Sequence, residues 1–155
     1  MRIWIDADSC HAAVRKIILR ASRRLKITVH FVANAPIDVP LSDTVKAVRV
    51  SKTENAADDY IFENAAENDI VVTTDVPLAS RLLTLGVVVV NPRGHLFTQE
   101  TIGERLSMRN FSTHLRQMGI DTRDLVNRKR NAVKEFAEIF DRELTRAMKK
   151  KNSSA

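Results

Sequence analysis

The stretch VVTTDVPLASRLLTLGVVVVNPRG, residues 71–94, sets a strand, an acid, a helix and a second strand end to end with no spare loop. Its two valine-rich runs, 70–74 and 87–90, are continuous rather than alternating, the pattern of strands covered on both faces. Pro77 just after Asp75 marks a helix start, with Asp75 placed to cap it. A βα unit this tight predicts a parallel sheet.

Outward from this unit the same rhythm repeats. Runs at 2–5 (RIWI), 27–33 (ITVHFVA) and 46–50 (KAVRV) read as further strands, with helical periods at about 11–25, 54–67 and 77–85. The expected fold is α/β: an open parallel sheet of about five strands with helices on both faces. NAPIDVPLSD (34–43) reads as a surface loop. From Thr98 a capping pattern (Thr98 with Thr101, or Thr101 with Glu104) opens a helical segment that Gly119 ends. A last helix over about 122–149 carries an apolar stripe at Leu125, Val133, Phe136, Phe140, Leu144 and Met148. The organisation expected is an α/β domain over 1–121, a basic amphipathic helix over 122–149 as a C-terminal extension, and a disordered tail at 150–155. The stripe must dock on the domain or on a second copy, which would make a homodimer through this helix.

Composition narrows the class. A chain of 155 residues with 44% hydrophobic content can bury one core, and no apolar run is long enough to span a bilayer. The N-terminal residues do not resemble a signal peptide, and a single cysteine, Cys10, rules out an intramolecular disulfide. A cytoplasmic location is the expectation. Residues 123–151 hold ten Lys and Arg against five Asp and Glu, so nearly all of the net +6 sits there. That points to a polyanion partner.

In open parallel sheets ligands bind beyond the carboxyl ends of the strands. Asp6, Asp8 and Ser9 follow the first strand, Asn34 the second, Ser51 the third, Asp75 the fourth, and Asn91 with Arg93 the fifth. In ENAADDYIFENAAE (54–67) a helical projection puts Asp58 within the apolar arc and Asp59 outside it. A carboxylate on a buried face needs a partner, although the helix dipole alone also favours acids in a first turn. Asp6, Asp58 and Asp75, with Asp8, make an all-oxygen site suited to Mg²⁺ or Mn²⁺ rather than zinc. Such sites serve phosphodiester hydrolysis.

IWIDADSC, AADDYI, TTDVPLASRLL with NPRG, and FTQETIGERLSMRNF resemble the bacterial YaiI/YqxD family, over residue 3 to about 125. That family is grouped by resemblance with PIN-like nuclease domains. The resemblance implies metal-holding acids at the end of the first strand, in a central helix and after the fourth strand, here Asp6, Asp58 and Asp75, with Asp8 and Asp59 as additions. Cys10-His11 departs from the Cys-Pro expected in relatives. The resulting expectation is a metal-dependent nuclease acting on RNA, with Asp6, Asp8, Asp58 and Asp75 catalytic and Ser9, Asn34, Asp59, Thr74 and Asn91 around them. The alternative is a non-catalytic RNA- or ribosome-associated binding protein that keeps the acidic pocket.

Asp6-Ala7-Asp8 also resembles the motif of haloacid-dehalogenase-type phosphatases. That chemistry wants a small flexible turn after the second acid and a later lysine, whereas Ser9-Cys10-His11 follows and no lysine lies near Asp75 or Asn91. Cys10 beside His11 lacks a third orienting group, and the four histidines show no zinc spacing. Phosphate contacts are expected from Arg93, from Arg105, Arg109 and Arg116 at helical spacing, and from Arg128, Lys129 and Arg130. No aromatic-rich motif for base stacking is present.

Overall fold

β1 (Ile3–Asp6) is buried at every position, because helices cover both of its faces. The computed structural model describes residues 1–103 and 125–153. In order these form β1, a 3-10 turn (Ala7–Ser9), α1 (Ala12–Leu25), β2 (Val29–Ala33), β3 (Val45–Arg49), α2 (Ala56–Asn64), β4 (Ile70–Val72), α3 (Val76–Leu83), β5 (Val88–Asn91), β6 (His95–Phe97) and α4 (Leu125–Ser153). The sheet order is β3-β2-β1-β4-β5-β6, parallel throughout except for β6. The α/β architecture expected from the sequence is what the chain adopts. The sixth strand is an addition: it turns back antiparallel on β5 through Asn91–Gly94, closed by a Gly94 N–H to Asn91 carbonyl bond of 2.9 Å. Three residues are too few to show a period, so β6 left no mark on the hydrophobic pattern.

Alternation along the strands divides the core in two. Ile3, Ile5, Val29 and Phe31 face Val14 and Ile18 of α1, while Trp4, Val32, Val71 and Val89 face Ile61 of α2 and Leu78 and Leu82 of α3. Right-handed crossovers require this: the chain leaves β1 toward one edge through α1 and leaves β4 toward the other through α3. The strand order therefore reverses between β1 and β4, which opens a crevice at their carboxyl ends.

The C-terminal helix expected from the sequence is present as α4, and it packs on the domain. Phe136, Phe140 and Leu144 are at most 1% exposed and share the core of β1, β2 and α1, with Phe136 and Phe140 stacked 5.2 Å apart. These three residues of its apolar stripe are covered by the chain's own sheet and α1. The helix runs on to Ser153, through part of the stretch expected as a disordered tail. At the other end of the strands, Asp69 is 3% exposed and accepts from the Trp4 Nε1–H at 3.0 Å and from the backbone N–H groups of Arg2 and Ala66. Trp4 is core, and His30 stacks on it at 4.2 Å, its pKa lowered by burial and by the charges of Arg2 and Lys46. Among the described residues no helix is long and apolar enough to cross a membrane.

Gly94 fixes how close α4 can come. With φ at +99°, it has Glu135 Cβ 2.7 Å and the Ala132 carbonyl 2.9 Å from where a Cβ would stand. Gly94→Ala should therefore cost about 1–3 kcal/mol in urea unfolding, through strain and displacement of α4. Gly103→Ala, whose Cβ would meet nothing within 4 Å, should change stability by less than about 1 kcal/mol. Equal costs at the two glycines would show that α4 does not seat against the β5–β6 turn.

Candidate functional site

Asp6 ends the central strand at 8% exposure, at the point where the strand order reverses. One of its oxygens, Oδ2, accepts the Ser9 hydroxyl at 2.9 Å and the Thr73 hydroxyl at 3.1 Å. Burial pushes the Asp6 pKa up. The Ser9 and Thr73 bonds oppose that shift, and the charges of Asp8 and Asp75 add to it. With Asp6 ionised, the single Ser9 proton is committed to it, so Thr74, 2.9 Å away, must donate to the Ser9 oxygen.

Asp75 caps α3, its Oδ1 accepting the Leu78 N–H at 2.7 Å, as Pro77 near the helix start suggested. Its own N–H donates to the Thr73 hydroxyl at 3.0 Å. Thr73, fully buried, thus receives a bond from the Asp75 backbone and gives one to the Asp6 carboxylate.

α2 supplies the third acid. Asp58 is half-buried, with its carboxyl near enough to that of Asp75 to feel its charge. Its pKa is pushed up to about 6, chiefly by burial, then by the negative charges of Asp75 and Asp6. Asp59 points outward, exposed, and pairs with Arg81 at 3.2 Å. The helical phase read from the sequence holds: Asp58 turns in and Asp59 turns out.

The structure does not gather every residue named from the sequence. Asp8 sits exposed on the 3-10 turn, near enough for its charge to raise the Asp6 pKa. Thr74 reaches Asp6 only through Ser9. Asn91 is buried, but its side chain accepts the Arg93 N–H at 2.8 Å and serves the turn. No hydrogen bond ties Asn34 to the carboxylates, and Arg93 is exposed on the turn after β5. Arg105, Arg109 and Arg116 lie outside the described residues, as do the side chains of Arg128, Lys129 and Arg130 on the first turns of α4.

Two residues of the site escaped the sequence reading. Thr73 bridges Asp6 and Asp75, and the only trace of this was a hydroxyl pair before the acid in TTD. Arg15 holds the turn after Asp6 in shape, its guanidinium donating to the Cys10 carbonyl at 3.0 Å and the Ala7 carbonyl at 2.9 Å. Cys10 itself is buried, with its thiol pushed up to about 12 by burial first and the Asp6 charge second. Burial thus disfavours its thiolate.

The donors that meet here are all carboxylate and hydroxyl oxygens. As the side chains stand, no group of three or more His, Cys, Asp and Glu among the described residues closes tightly enough to hold a metal ion.

The family described as "Uncharacterized BCR, YaiI/YqxD family" matches residues 4–146, and the chain belongs to it. The match runs well into α4. The UPF0178 proteins of Myxococcus xanthus and Syntrophobacter fumaroxidans are each 44% identical to it over 149 residues, covering 96% of this chain and 97% of theirs. That of Psychromonas ingrahamii is 42% identical, covering 96% of this chain and 99% of its own. No solved structure matches the chain.

The raised pKa of Asp58 sets a pH dependence of stability. Between its ordinary value of 3.8 and about 6 the folded state holds a proton that the unfolded chain has released. Stability therefore falls as pH rises through that window. Asp58→Asn should remove much of this fall, leaving the part due to Asp6, and should make the metal-free protein more stable than wild type above about pH 7. Urea unfolding across the window measures it. Parallel profiles for the two proteins would mean that Asp58 is not held against Asp75.

Proposed function

We propose that this protein is a metal-dependent nuclease that hydrolyses phosphodiester bonds in RNA. The observation that supports it is the meeting of Asp6, Asp58 and Asp75, from β1, α2 and the cap of α3, at the switch point of the sheet. Three acids from separate elements crowd each other at a cost that a fold alone does not require. An all-oxygen donor set suits Mg²⁺ or Mn²⁺. In this reading Asp6, Asp58 and Asp75 hold the ion and Asp8, exposed at the mouth, orients water or an outer ion. The ion would supply Lewis-acid stabilisation of charge on the phosphoryl oxygens.

The chain's own residues prepare the site. Ser9 and Thr73 occupy Oδ2 of Asp6 and so fix the direction of Oδ1. Asp58 must release its proton before all three acids are charged, which ties metal affinity to pH. A second reading has its own support: Oδ1 of Asp75 is already committed to the Leu78 N–H. On that view the acidic pocket is kept without catalysis, and the protein is an RNA- or ribosome-associated binding protein that does not cut RNA.

Millimolar Mn²⁺ should raise the unfolding temperature of wild type by several degrees, as for a ligand present at about a hundred times its Kd. The Asp6→Asn/Asp75→Asn protein should lose most of that gain while Asp59→Asn keeps it, and asparagine at 75 can still cap α3. Cleavage of mixed single-stranded RNA should follow the same pattern and stop in EDTA. A thermal shift without cleavage favours the binding protein. No shift in wild type overturns the metal site.

A further inference from the structure

Near-neutrality of the first 122 residues hides a separation of charge. Residues 9–37 contain six Lys and Arg and no acid, whereas residues 54–75 contain seven acids and no Lys or Arg. The first block forms α1 and β2, the second α2 and its flanks, and the sheet lies between α1 and α2. The surface that α1 presents is therefore basic, and that of α2, across the sheet, acidic.

On α1 the charges form a line. Lys16, Arg20 and Arg23 are exposed at positions i, i+4 and i+7, one stripe of the helix. None of the three pairs with an acid among the described residues, and α1 itself contains none. Their neighbours are engaged: Arg15 holds the turn after Asp6, and Arg24 pairs with Asp141 of α4 at 3.2 Å. A merely solvated helix face gains from acids interspersed at i+4, and this one forgoes them at the cost of like-charge repulsion. Arg20 also lines a cleft of about 250 Å³ between α1 and α4, whose floor is Ile17, Ala21, Phe140 and Leu144.

We infer that the Lys16–Arg20–Arg23 row is a docking surface for the phosphate backbone of an RNA strand. The inference rests on RNA as the substrate class proposed above, but not on cleavage or on metal. α1 starts just beyond the turn that carries Asp6 and Asp8, so a strand laid along the row is led to the carboxyl edge where the acids meet. An acidic site repels a polyanion, and positive charge must be supplied beside it. A row of cations without exposed aromatic rings contacts phosphates and is indifferent to base identity. A lipid surface fits less well, because the large exposed apolar side chains among the described residues, Leu41 and Leu85, lie off α1.

The test is binding of a labelled mixed-sequence single-stranded RNA to the full chain in EDTA, across a salt series. The Lys16→Gln/Arg20→Gln/Arg23→Gln protein should bind about tenfold or more weakly, with a log–log salt slope shallower by about two. Its unfolding midpoint should match wild type. Lys46→Gln/Arg49→Gln/Lys52→Gln removes the same charge from the β3 side and should leave the slope near that of wild type. Equal losses in the two triple variants would reduce the effect to net charge and overturn the row, as would an unchanged slope in the first. So would loss of binding to phosphatidylserine vesicles with RNA binding intact. If Mn²⁺ shifts the unfolding temperature of wild type no more than that of Asp6→Asn/Asp75→Asn while the row still governs the slope, the metal reading fails and the docking surface stands.

Discussion

The hydroxyl of Thr73 ties β1 to the start of α3 at the place where the strand order reverses. A buried carboxylate must be hydrogen-bonded to stay in the fold, and here the bonds come from the neighbouring strand's continuation. Asp6 cannot move without releasing Thr73, and Thr73 cannot move without freeing the backbone of the α3 cap. Arg15 closes the arrangement from the other side by clamping the two carbonyls of the turn that follows Asp6. The carboxyl edge is held rigid by polar contacts, while the strands beneath it are held by apolar packing on both faces.

That division lets the two faces differ in charge. α1 and α4 cover one face and α2 and α3 the other, so each pair can carry its own surface without disturbing the core. Gly94 is where this layering is most exacting, because any side chain there would press on the backbone of α4. The β5–β6 turn and α4 are thus fitted to each other. α4 is as much part of the domain as β1 is.

What the sequence disclosed follows the strength of each periodic signal. β1, β2, β4 and β5 are short runs buried on both faces, which the eye finds as unbroken apolar stretches. Asp58 and Asp59 were separable because one helical step is 100° and only one of them can face the sheet. β6 was invisible because HLF is three residues with no alternation. The roles of Thr73 and Arg15 arise from contacts with other elements and have no local signature. The blocks of like charge at 9–37 and 54–75 stand in the sequence itself, but only the fold shows that the helices they form lie on opposite sides of the sheet.

The two buried acids flanking β1 show how the same residue type comes to different ends. Asp69, at the amino edge, accepts the Trp4 indole and two backbone N–H groups and has the Arg2 guanidinium 3.4 Å away. Every demand of its charge is met inside the fold, and it has nothing left to offer a ligand. Asp6, at the carboxyl edge, receives two hydroxyls on one oxygen and no cation, while Asp8 and Asp75 press on it with like charge. The same crowding acts on Asp58, whose pKa is pushed up to about 6 by burial first and by the charges of Asp75 and Asp6 next. This difference in compensation, rather than burial, is what separates the two acids: Asp69 is neutralised within the fold, and Asp6 is left with uncompensated charge beside it.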